Sequence, residues 1–88
     1  MADVTYHVVL PFRTDEDGEL TAGEAVEAPS AGSAVMRAER LALAQQDGIC
    51  GAVAFSRTGD PATGEFEDAI ILKQFGSVPA DLVAAVSG

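Results

Sequence analysis

The chain is poor in the residues that most often carry chemistry. Its 88 residues include one cysteine, one histidine, one tyrosine and no tryptophan. A lone cysteine, Cys50, excludes a disulfide framework within one chain and suits a reducing compartment. With His7 as the sole histidine, a zinc site built from histidine and cysteine is excluded as well. Basic residues are also scarce. Arg13, Arg37, Arg40, Arg57 and Lys73 stand against fourteen acidic residues, giving a net charge of −9. They do not cluster, so no patch can neutralise a row of phosphates, and the mean field repels nucleic acid and anionic lipid alike. No apolar run approaches the roughly 18 residues of a membrane span. The opening MADVTYHVVLPF carries Asp3 where a secretory signal needs basic residues. The expectation is a cytoplasmic protein that binds neither nucleic acid nor membrane. The glycines have neither dinucleotide nor phosphate-loop spacing, so no cofactor is expected.

What the chain does have is apolar pattern. Hydrophobic residues make up 48% of it, too many for intrinsic disorder. Its length predicts one domain, residues 1–88, frayed at about 1–3 and 87–88. Val4 to Phe12 alternates, with Tyr6, Val8, Leu10 and Phe12 on the main apolar side and His7 on the other, which predicts a half-buried strand. Asp15-Glu16-Asp17-Gly18 is turn chemistry. Residues 19–28 read as a poor second strand or an extended loop. Ser30 or Ser33 is a helix cap ahead of Ala34 to Gln46, a run free of Gly and Pro and rich in Ala, Leu, Arg and Gln. Ile49 to Thr58 and Phe66 to Phe75 predict two more strands around a turn at Gly59 to Gly64. Because Ala69-Ile70-Ile71-Leu72 is apolar at every position, the last strand is expected at the centre, beside the first. Pro79 suits the first turn of a short helix over Ala80 to Val86. The sum is an α+β domain of order β-(β)-α-β-β, one main helix packed on a three- to four-stranded, mainly antiparallel sheet.

The helix offers the first candidate site. Ala34, Val35, Ala38, Leu41 and Ala42 share one side and would face the sheet. Met36 and Leu43, with Arg40 between them, fall nearly opposite. Either the C-terminal residues Leu82, Val83 and Val86 fold back over them or a second subunit covers them. The second candidate comes from an echo between PFRTDEDGEL and AFSRTGDPATGEF. If the two loops met, Arg13, Asp15, Asp17, Arg57 and Asp60 could form a small-anion or metal-ion site through guanidinium forks and carboxylates. Ordinary hairpin turns explain the same residues. Arg13 to Glu24 also overlays a calcium-binding loop, but Arg13 occupies the position that needs an aspartate, and a strand precedes it. Ser56, His7 and Asp60 supply the residue types of a catalytic triad without a nucleophile-elbow sequence. Glu65, Glu67 and Asp68 suit a charged strand edge that resists aggregation. No catalytic constellation and no metal site is expected.

AFSRTGDPATGEFEDAIILKQFGSVP together with YHVVLPF resembles a family of short uncharacterised bacterial proteins, a resemblance that implies a domain type and no activity. YHVVLPFRTDEDGEL and SAVMRAERLA are similar in outline to HicB-type antitoxin domains, which pair a strand, an acidic turn and a helix. That resemblance implies an acidic partner for a basic toxin. It departs from the pattern at residues 29–32, Pro-Ser-Ala-Gly, where those domains carry a glycine- and threonine-bearing segment. The leading expectation is a non-catalytic domain that binds a protein or itself, as a homodimer, through Met36, Arg40, Leu43 and the bare sheet face.

Overall fold

The computed structural model describes residues 3–45 and 48–79. They form an α+β unit with one helix on a curled antiparallel sheet. In chain order the elements are β1 (Val4–Thr14), β2 (Leu20–Ala22), β3 (Val26–Ala28), α1 (Ala31–Ala44), β4 (Ile49–Asp60), β5 (Glu65–Phe66) and β6 (Ile70–Gly76).

The two long strands carry the sheet. β1 and β4 pair antiparallel from Val4↔Gly59 to Arg13↔Ile49. β2 and β3 lie end to end along the free side of β1. β5 and β6 do the same along β4. The poor second strand of the sequence is therefore two three-residue pieces, separated at Gly23-Glu24-Ala25, where Glu24 and Ala25 are exposed. The predicted strand from Phe66 to Phe75 is likewise interrupted, at residues 67–69.

One expectation is corrected. The last strand is not central and does not pair with the first; β1 and β4 occupy the middle and β6 pairs with β4. Both faces of the sheet are covered out to this rim, and a bulge sets which residue meets which face. Pairing steps from Ala54↔Lys73 to Phe55↔Ile71, so Leu72 has no partner. An extra residue shifts the in–out alternation. Ile71 therefore packs on the bulky core and Leu72 on the helix side. The apolar doublet is thus packed on both sides although the strand lies at the rim, and Ile70 stays 65% exposed.

The helix forms where propensity and capping agree. Ser30 is extended and its Oγ accepts the Ser33 N–H at 3.1 Å, satisfying one of the free N–H groups at the start. The helix begins three residues earlier than the sequence suggested. It ends at Gln45 in a left-handed conformation, φ 51°, whose N–H bonds back to the Leu41 carbonyl. Ala34 and Ala38 are fully buried against Ala28, Val9, Ala52 and Ala54 of the sheet, with Val35 and Leu41 alongside. Small side chains on both partners let the helix approach closely.

The bulky core lies on the sheet face away from α1. Leu10, Phe12, Val53 and Phe55 cluster there, with Val8, Leu20, Ala69, Ile71 and Val78 packed against them. Phe12 and Val53 are at most 1% exposed; burying a side chain of this size contributes about 1.5–3 kcal/mol. The expected bare sheet face therefore does not exist around these residues. The expected sides of β1 are also reassigned. Val9 and Pro11, read as facing away from the main core, are buried, and Val9 meets the helix. The short helix expected over Ala80 to Val86 lies outside the described residues, as do Leu82, Val83 and Val86.

Candidate functional site

The register of β1 on β4 decides which candidate residues can meet. Arg13 pairs with Ile49 at one end of the sheet, whereas Arg57 pairs with Tyr6 near the other. Seven residues of extended strand separate the two positions, about 23 Å at 3.3 Å per residue. Arg13, Asp15 and Asp17 therefore do not share a surface with Arg57 and Asp60. The echo in the sequence is a repeat of turn chemistry at opposite ends of the molecule.

Each turn uses its aspartate internally. Asp15 Oδ1 accepts the N–H groups of Asp17 at 2.9 Å and Glu19 at 3.0 Å. Asp60 Oδ1 accepts the Ala62 N–H at 2.9 Å. Gly18 and Gly64 supply the left-handed backbone, with φ 82° and 77°. A carboxylate already holding backbone N–H groups is a turn element first. Strands border the Asp15 turn on both sides, which departs from the helix-loop-helix frame of the calcium motif.

Arg57 is engaged elsewhere. Its guanidinium lies 5.1 Å from the centre of the Phe66 ring, within cation–π range. The Phe66 ring in turn tilts against Tyr6 at 6.1 Å between centroids. Arg57 Nε is buried without a hydrogen-bond partner among the described residues. This Tyr6–Phe66–Arg57 stack closes the end of the sheet. It was hidden in the sequence because it depends on a Gly59↔Phe66 pairing across a turn.

Beside the stack is a recess of about 400 Å³ bordered by Asp3, Asp60, Glu65, Glu67 and Phe66. Its carboxylates come from the strand end and the last turn. Among the described residues no group of three or more His, Cys, Asp or Glu side chains is disposed to hold a metal ion.

His7 and Ser56 do meet. They face one another across β1 and β4, with His7 Nδ1 2.9 Å from Ser56 Oγ. Thr5 and Thr58 make the next cross-strand pair at 2.9 Å. As the alternation predicted, His7 shares the side of Val9, opposite Leu10 and Phe12; that side is the one the helix covers. Ser56 is 8% exposed, and Asp60 is four residues further along β4, turned into its own loop. The pair thus reads as a polar rung in the sheet. Cys50 is half-buried, its Sγ 3.7 Å from the Phe12 carbonyl and 3.4 Å from Thr14 Oγ1.

The outer face of α1 remains. Met36 is 56% exposed and Leu43 78% exposed, with Arg40 exposed between them. Both apolar side chains lie on the side of the helix opposite buried Ala34 and Ala38, as the spacing predicted. Comparisons with protein-family models, with curated proteins and with solved structures find no match.

Proposed function

We propose that this chain is a small protein-binding domain whose contact surface is the outer face of α1. One observation carries the reading: Met36 and Leu43 form a single exposed apolar line on a helix whose other face is already packed. Full burial of such a side chain contributes about 1.5–3 kcal/mol, and the part still exposed here is open to any partner that covers it. Arg40 adds a directional donor between them, and arginine is enriched at contact surfaces. The sheet end offers less. Asp60 serves its turn and Arg57 serves an aromatic stack. The role is one of binding rather than catalysis.

The test is affinity capture from cells with the wild-type chain and with Met36→Glu. A captured protein that is lost with the variant supports the reading, provided the variant keeps its wild-type circular dichroism spectrum. Capture unaffected by Met36→Glu and Leu43→Glu moves the contact surface away from α1 and sinks the proposal.

A further inference from the structure

The geometry points to a second copy of this chain as the occupant of that face, with the two α1 helices parallel about a two-fold axis. This rests on the reading of the outer face as a contact surface and adds the partner and its orientation. At 100° per residue Met36 and Leu43 point within about 20° of each other, and Glu39 and Arg40 fall about 50° to either side of that line. Met36, Glu39, Arg40 and Leu43 are all exposed. Gly32 lies on the same face one turn before Met36, also exposed, with open space where a side chain would stand. A glycine costs about 1 kcal/mol relative to alanine inside a helix, and here it leaves room for a neighbouring backbone.

The charges choose the orientation. A two-fold axis parallel to the helices carries the left flank of one helix to the right flank of the other. Glu39 then meets Arg40 of the second copy, and Arg40 meets Glu39, at heights differing by about 1.5 Å. Met36 meets Met36 and Leu43 meets Leu43 between these flanking pairs. A two-fold axis perpendicular to the helices does the opposite. It sets Glu39 against Glu39 and Arg40 against Arg40, and like charges in contact are unfavourable. Two copies of a chain carrying −9 repel overall. Across α1, however, Arg37 and Arg40 against Glu39 sum to +1, so this face avoids that repulsion. The apolar line is short, so the association is weak.

Sedimentation equilibrium of the full chain from about 10 µM to about 1 mM covers the affinities of such a contact. The expected result is a rise toward the dimer mass, abolished by Met36→Glu. Glu39→Arg and Arg40→Glu should each weaken self-association about tenfold, and mixing the two variants should restore it as a heterodimer. Orientation is read by disulfide capture in a Cys50→Ser background. Met36→Cys alone should cross-link to itself, as should Leu43→Cys alone; cross-linking only in a mixture of the two means antiparallel helices and overturns the arrangement. A chain that stays monomeric throughout overturns the second copy as occupant. If that monomer still captures a cellular protein in a Met36-dependent way, the contact face stands with a different partner. If it captures none, both readings fail.

Discussion

At the scale of single residues, close backbone approach matters more than any reactive side chain. The N–H of Ser77 donates to the Cys50 carbonyl at 2.9 Å, which brings that backbone directly over Gly51. A methyl group on Gly51 would collide with the Ser77 carbonyl oxygen. Neither backbone can yield without opening a ladder, so Gly51→Ala is expected to destabilise the fold by more than about 2 kcal/mol. Urea unfolding measures this, and a loss below half that value would mean the Ser77 backbone moves aside at little cost. Little of this was legible in the sequence. Gly51 reads as one small residue in an apolar strand, and nothing near it names residue 77. The His7–Ser56 and Arg57–Phe66 contacts were hidden for the same reason, since each needs the register of strands far apart in the chain. The turn roles of Asp15 and Asp60 were legible, because an aspartate that accepts N–H groups two to four residues ahead acts within its own sequence neighbourhood.

At the scale of elements, the helix was the most readable part. Its inward alanines, its outward Met36 and Leu43 and its serine cap all follow from spacing. Both ends moved: Ser30 rather than Ser33 caps the start, and Gln45 turns left-handed before the expected last residue, Gln46. Ser30→Ala removes the acceptor for the Ser33 N–H and is expected to cost about 1 kcal/mol. Thermal melts test it; an unchanged midpoint would show that water replaces the cap. The strands were readable as segments but not as neighbours. Apolar continuity at residues 69–72 suggested a central strand, yet this strand packs on both faces while lying at a rim. A pattern of side chains records whether the faces of a strand are covered, not whether it has a neighbour on both edges. The same limit hid which face of β1 the helix covers. With Val9 and Pro11 buried on one side and Leu10 and Phe12 on the other, both faces of this strand are apolar, and parity alone does not rank them.

At the scale of the whole molecule, the excess of negative charge works against the fold. Fourteen acidic side chains on 88 residues leave −9, and self-repulsion of that kind disfavours the compact state. Raising sodium chloride from about 20 mM to about 500 mM shortens the screening length several-fold. The melting temperature of a dilute sample should therefore rise. A fall with salt would mean that favourable pairs outweigh the repulsion. The shape of the sheet bears on association as well. Both rims are made of two short pieces laid end to end, broken at residues 23–25 and 67–69. The longest piece, β6, is seven residues and is kinked at Leu72. A growing fibril needs an unbroken row of free amides and carbonyls as its template. Among the described residues neither border provides a long one, so these rims are a poor template for strand-by-strand polymerisation.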